Sequence, residues 1–156
     1  MIVLILSFVV VASYIGFVSF HTKVISSSLS ETYYSLGGYG GLFTACMLIT
    51  SATLYPVWMG VAKGLECLPF IACSSLFFVA LTPAYRMDLQ SIIHYCAAVL
   101  CGICAVLWQV LAGLWDVTLF FGFIGALFVL ICRSKYMFIL ECAIILSLYV
   151  NLLRLV

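Results

Sequence analysis

Long runs of apolar residues, separated by short polar stretches, dominate the sequence. A helix needs about 20 residues to cross about 30 Å of hydrocarbon, and six runs approach that length: residues 2–20, 42–61, 67–81, 92–114, 117–132 and 136–153. The apolar positions are continuous and do not alternate with polar ones, which favours helices over the strands of a transmembrane barrel. The pattern therefore predicts an all-α fold, in which residues 1–156 form one integral membrane domain, a polytopic transmembrane helical bundle of about six spans.

The third and fifth runs are shorter than the other four. The alternative is therefore a bundle of five spans, in which the two short runs form a re-entrant pair. Composition supports a membrane protein in either case, because 67% of the residues are hydrophobic and only 7% are charged, against about 25% charged residues in soluble domains. A net charge of +1 leaves no basic surface for a nucleic acid.

The distribution of basic residues predicts how the bundle is oriented. We call side A the side that the chain reaches after its first run, and side B the opposite one. With six spans, side A carries four of the six basic residues, namely Lys23, Arg86, Arg133 and Lys135. Because cytoplasmic loops are enriched in Lys and Arg, we expect a multi-pass protein of the cell membrane with side A in the cytoplasm and both termini outside it.

Polar side chains that could form a site also gather on side A. Since polar groups within a membrane are costly, their positions are informative. Glu141 follows Lys135 by six residues inside the last run, which places it roughly 8–9 Å below the end of that helix. His94, about one turn into the fourth run, is its natural partner. The pair either fixes helix packing or belongs to a pocket, or Glu141 reaches back to the interface. Gln109, deep in the fourth run, is expected to bond between helices.

The loop of residues 21–41 is the longest polar connection. Its sequence Ser28-Leu29-Ser30-Glu31 fits a capping box, in which the Ser oxygen and the Glu carboxylate satisfy free N–H groups at a helix start. It predicts a short interfacial helix, ended by the glycines of residues 37–41, which would allow this loop to move as a lid. Asp88 is expected to cap the fourth span. The candidate ligand-pocket residues are Ser26, Ser28, Ser30, Glu31, Asp88, His94 and Glu141.

Two stretches together resemble a known family. One is Ile25-Ser26-Ser27-Ser28-Leu29-Ser30-Glu31-Thr32-Tyr33-Tyr34, and the other is Thr82-Pro83 followed by Ile93-His94-Tyr95-Cys96-Ala97-Ala98. A serine-rich acidic motif, then Pro, then His before two Ala resembles the DRAM-like six-helix membrane proteins and their uncharacterised bacterial relatives. The resemblance implies a six-helix fold and a membrane or lipid-related role.

These observations predict a membrane protein that binds a lipid or small amphiphile in a cytoplasmic-side pocket and is not an enzyme. Its partners would be membrane lipids and no nucleic acid, with a homo-oligomer as an open alternative. We expect no cofactor and no metal, because two histidines cannot form a three-His zinc site. One alternative is a membrane-embedded hydrolase with a triad from the serines of residues 26–30, His94 and Asp88 or Glu141. Another is an oligomeric channel or transporter.

Overall fold

A computed structural model describes residues 1–22 and 26–156, apart from the side chain of Asp88. The described chain consists of helices and short connections, and it contains no strand. The α-helices are α1 (Ile2–Thr22), α2 (Thr32–Ser35), α3 (Gly41–Val61), α4 (Cys67–Leu81), α5 (Asp88–Leu111), α6 (Trp115–Ile131) and α7 (Tyr136–Leu155). The prediction of an all-α fold is confirmed.

Four helical segments are long and apolar enough to cross a membrane. They are Ile2–Thr22, Gly37–Val61, Leu89–Leu111 and Arg133–Leu155. The helices α4 and α6 are also apolar but contain only 15 and 17 residues. At about 1.5 Å of rise per residue they are roughly 22–26 Å long, less than the thickness of about 30 Å that a full span must cover.

The helices pack mainly against their neighbours in sequence. Helix α4 lies between α3 and α5, while α1 packs on α3 and α6 packs on α7. Helix α7 joins the two parts by contacting α5, α1 and α3. The two short helices, α4 and α6, therefore have different main partners in the bundle.

Aromatic and small residues fill the centre of the bundle. Trp58 of α3 and Trp108 of α5 are both almost fully buried, and their rings meet edge to face at 5.3 Å. Large apolar side chains of α6, such as Phe123 and Ile131, remain exposed. An exterior of this kind is unfavourable in water but matches a hydrocarbon environment.

The start of α5 differs from the expectation that Asp88 caps it. The helix begins at Asp88 itself, and Met87 holds the cap position without a side-chain cap bond. Before the helix, the Met87 N–H donates to the carbonyl of Ala84 in a turn. The cap position therefore falls on Met87, one residue before Asp88. The carbonyl of Met87 then accepts from the N–H of Ser91.

Candidate functional site

Four consecutive residues of the loop before α3 bind four separate parts of the bundle. We call residues 26–36 the docked segment. The Leu29 N–H donates to Oε2 of Glu141 on α7 at 2.7 Å, and Oγ of Ser30 lies 2.8 Å from Nε2 of His94 on α5. The carboxylate of Glu31 binds the connection between α4 and α5, and the hydroxyl of Thr32 bonds Tyr14 on α1. The segment therefore ties four elements together at side A.

The Glu141 carboxylate holds the docked segment by binding a backbone N–H of that segment. A second bond, in which the N–H of Phe138 donates to the carbonyl of Ser27 at 3.0 Å, joins the segment to the first turn of α7. The expected pair between Glu141 and His94 is therefore wrong. Each of the two side chains has its own partner in the docked segment, Leu29 for Glu141 and Ser30 for His94.

The hydrogen bonds of His94 define its tautomer. Nδ1 lies 2.8 Å from the carbonyl oxygen of Thr82, and because a carbonyl can only accept, Nδ1 carries the proton. In the neutral ring Nε2 is then an acceptor, so the hydroxyl of Ser30 donates to it. Pro83 does not continue α4, which ends at Leu81, so the carbonyl of Thr82 lies outside the helix and can bind His94. The ring is 1% exposed and stacks on Tyr85 at 5.0 Å.

Glu31 forms the outer layer of the site. Its carboxylate accepts from the hydroxyl of Tyr85 and pairs with the guanidinium of Arg86, which also lies 4.2 Å from the ring centre of Tyr34. Burial raises the pKa of Tyr85, and the hydrogen bond to the Glu31 carboxylate raises this pKa further. Tyr85 therefore stays a neutral donor at physiological pH.

Only half of the predicted capping box forms. Oγ of Ser28 accepts from the N–H of Glu31 at 3.1 Å, as expected. The Glu31 carboxylate does not turn back to Ser28, because Tyr85 and Arg86 bind it. The short helix α2 consequently begins at Thr32, after the box.

The glycines that follow α2 form a compact turn of 3-10 helix at Gly37–Tyr39. Gly37 has a φ of 54°, which favours glycine. A Cβ on Gly40 would lie 2.6 Å from the carbonyl oxygen of Tyr33. The turn is thus a close approach of two backbone segments that only glycine allows.

The structure brings most of the predicted site residues together. Ser28, Ser30, Glu31, His94 and Glu141 are linked through the docked segment, and the buried Ser26 makes a long contact of 3.4 Å to Ser35. The side chain of Asp88 and the whole of Lys23 lie outside the described residues. Sequence reasoning missed Thr82, Tyr85 and Arg86 as partners. Their position beside Pro83, in the polar stretch before His94, was the available signal.

The other histidine is not part of this cluster. His21 is exposed near the end of α1, where its ring stacks on Phe17 at 5.6 Å and meets Tyr39 edge to face. Within the described part of the chain, no three His, Cys, Asp or Glu side chains are grouped so that they could hold a metal ion.

A second polar cluster lies near side B and contains only neutral groups. Nδ2 of Asn151 on α7 donates to Oε1 of Gln109 on α5 at 2.9 Å and to the carbonyl of Leu114 at 3.2 Å. Thr118 of α6 also donates to Oε1 of Gln109, at 3.1 Å. Gln109 and Asn151 are fully buried. The prediction that Gln109 bonds between helices is confirmed.

An apolar groove of about 550 Å³ runs along the outer face of α3 and α4. Its lining includes Ala52 of α3 and Phe70, Ser74, Phe77 and Phe78 of α4. Phe78 lies one helical turn before Thr82, whose hydroxyl donates to the Phe78 carbonyl at 2.7 Å. One end of the groove is therefore a single turn from the residue that binds His94.

Comparisons with known proteins found no matching family model, no matching curated protein and no matching solved structure. The resemblance to the DRAM-like proteins stays a prediction.

Proposed function

We propose that this chain is an integral membrane protein with six membrane-crossing helices and with side A in the cytoplasm. Four helices have the required length, and the two shorter ones, α4 and α6, are continuous apolar helices between antiparallel neighbours. A span shorter than the hydrocarbon layer is accommodated by local thinning of the bilayer at modest cost. The excess of basic residues on side A supports the orientation.

Within that membrane, the protein binds a lipid or small amphiphile from the cytoplasmic side. The observation that carries this proposal is that the lining of the groove ends one helical turn before the polar cluster. The groove ends at Phe78, and Thr82 one turn later bonds His94, which in turn bonds Ser30. An acyl chain would lie in the groove, and the polar end of the same molecule would reach Thr82 and the docked segment.

The charges of the cluster favour a neutral polar group over an ionic one. The exposed guanidinium of Arg86 is already paired with Glu31, and the Glu141 carboxylate accepts from the N–H of Leu29. The remaining contacts of the cluster are hydroxyls, an imidazole and backbone groups. Hydroxyl and amide groups both donate and accept hydrogen bonds, and an ester accepts them, so each can bind such a surface without leaving a buried charge unpaired. The expected ligand is therefore a neutral amphiphile with one acyl chain.

A photo-crosslinking experiment tests this binding. The full chain would be placed in phosphatidylcholine nanodiscs with a monoacylglycerol that carries a diazirine on its acyl chain. Crosslinked peptides are expected to map to α3 and α4 around the groove. Ala52→Trp would fill the groove and should reduce crosslinking at least several-fold. Ala126→Trp, which adds the same ring to an exposed position of α6, should leave crosslinking unchanged.

The distribution of crosslinks decides the outcome. A probe that labels all exposed helices equally, and that labels the Ala52→Trp protein as strongly as the wild type, behaves as bulk lipid. That result would contradict a specific site in the groove.

A further inference from the structure

The contact between Ser30 and His94 has the arrangement of a nucleophile and its base. We propose that Ser30 accepts the acyl group of the bound amphiphile, with His94 as the general base, so that the site hydrolyses an ester. The inference rests on the proposed function, because the groove must present the acyl ester to Ser30. It also revises the triad considered from the sequence, since a backbone carbonyl takes the place of the carboxylate.

The geometry meets the first requirement of such a pair. Oγ of Ser30 lies 2.8 Å from Nε2 of His94, within the distance at which a base removes a proton. The second requirement is an orienting group behind the base. The carbonyl of Thr82 accepts from Nδ1–H at 2.8 Å, and the ring of Tyr85 stacks on the imidazole. The carbonyl fixes the tautomer, and the stacked ring holds the imidazole in the orientation in which Nε2 faces the serine.

The surroundings also support this role. Ser30 is 9% exposed and His94 is 1% exposed, so the pair is largely shielded from water that would otherwise solvate the hydroxyl. The groove ends one turn from Thr82, the same residue that orients His94. The base is thus positioned by the element that forms the wall of the acyl-chain groove.

The reaction would follow the two steps of an acyl-enzyme mechanism. The Ser30 oxygen forms a bond to the ester carbonyl carbon as its proton passes to Nε2 of His94, and the ester bond then breaks as the imidazolium returns that proton to the leaving alcohol. Water repeats the sequence on the acyl-serine, which releases a carboxylic acid and restores the hydroxyl.

Ser27 provides an internal comparison. It is three residues away and exposed, whereas Ser30 is buried. A reagent that selects serines by exposure would therefore label Ser27, and a reagent that selects an activated serine would label Ser30. The two hydroxyls lie in one short peptide and can be resolved by fragmentation mass spectrometry.

The test is labelling of the full chain in phosphatidylcholine nanodiscs with a long-chain alkyl fluorophosphonate. In this reaction the serine oxygen bonds to phosphorus, fluoride leaves, and the serine proton passes to the base. Modification is expected at Ser30, and Ser30→Ala should abolish it. His94→Gln should slow it by about 100-fold or more, the usual contribution of a general base. Ser27→Ala should label like the wild type.

Two results would overturn the inference. One is that Ser30 stays unmodified in wild-type protein although the groove still crosslinks the diazirine lipid. That result would contradict the ester hydrolysis but leave the binding proposal intact. The other is a labelling rate at Ser30 that does not change in His94→Gln. Mapping the modified residue in the wild type keeps the test decisive even where a variant folds poorly.

Discussion

Both ends of the bundle contain polar groups among apolar helices, but the groups at side B are neutral amides and a hydroxyl, whereas those at side A include ionisable side chains. Near side B, Gln109, Thr118 and Asn151 join α5, α6 and α7 through neutral donors and acceptors. Near side A, the docked segment is held by a carboxylate, an imidazole and an ion pair. Neutral amides can fix helix packing at modest cost, whereas ionisable groups in a membrane are costly and mark functional sites.

The comparison teaches where to look for activity. At side B the argued contacts join helices to one another and to the connection before α6, so their effect is on packing. At side A the contacts join helices to a loop, and the anchors include the carboxylate of Glu141, the imidazole of His94 and the guanidinium of Arg86. A loop held in this way can leave its anchors without unfolding the bundle. Replacing an amide by an acid at side B, and an acid by an amide at side A, therefore distinguishes contacts that hold helices together from contacts that hold the docked segment.

Asn151→Asp should have the largest effect. It replaces the Nδ2 donor by an oxygen that faces Oε1 of Gln109 and the carbonyl of Leu114, both acceptors. A buried acid here should lower the free energy of unfolding by about 2.5–3.5 kcal/mol, measured by thermal melting in detergent. The loss should shrink at low pH, where a protonated acid can again donate.

Asn151→Leu is the matched control for this change. It removes the same donor at similar volume but adds no charge, and it also removes Oδ1, which has no partner among the described residues. Its loss should be clearly smaller. If Asn151→Asp melts like the wild type, the side-B cluster does not hold the helices as argued.

Gly40→Ala should have the next largest effect, because it disturbs the turn that leads from the docked segment to α3. The added Cβ would meet the carbonyl oxygen of Tyr33 at 2.6 Å, so the backbone must shift. Overpacking of this kind costs about 1–3 kcal/mol, which melting experiments would detect. Gly41→Ala adds a Cβ that meets nothing within 4 Å and should be nearly neutral. Equal stability of the two variants would mean that the turn is free to relax.

Glu141 tests whether side A depends on charge or on an acceptor. Glu141→Gln keeps an oxygen for the N–H of Leu29, so the docked segment should stay in place. Glu141→Leu leaves that N–H without its acceptor, at a cost of about 1–3 kcal/mol. Hydrogen–deuterium exchange of peptides from residues 26–36 should rise in the Leu variant only.

A control for this experiment lies on side B. Glu66 accepts from the N–H of Gly64 at 2.8 Å, so Glu66→Leu removes a similar bond far along the chain and should not change exchange in the docked segment. If Glu141→Gln releases the segment as fully as Glu141→Leu, the negative charge and not the acceptor holds it.

The sequence predicted the helices well because their signal is local. Run length and continuous hydrophobicity depend on neighbouring residues, and the third run coincides with α4, Cys67–Leu81. The side of the site was also predictable, since His94 and Glu141 each lie within two turns of the side-A end of a helix in an antiparallel bundle. Gln109 was found for the same reason, as a lone amide in an apolar run.

The partners within the site were not predictable. Glu141 binds the N–H of Leu29, and His94 binds the carbonyl of Thr82, and every residue but Pro has such backbone groups. No sequence pattern distinguishes one N–H from another, so a charge-based guess paired the two ionisable side chains with each other. The Glu31 half of the capping box does not form for a related reason. Tyr85 and Arg86, from a distant part of the chain, bind the carboxylate of Glu31 instead.

The smallest effect is expected for the ion pair of side B. Arg154, in the last turn of α7, contacts both carboxylate oxygens of Asp116 at 2.9 and 2.8 Å, but both side chains are about half exposed. Exposed ion pairs contribute little because water solvates each partner and salt screens them. Asp116→Asn should therefore leave the melting temperature unchanged, at low and at high salt. A clear drop that the double variant Asp116→Arg with Arg154→Asp restores would show that α6 is held on α7 by charge. The contrast between a side B held together by neutral groups and a side A held together by ionisable groups would then lose its basis.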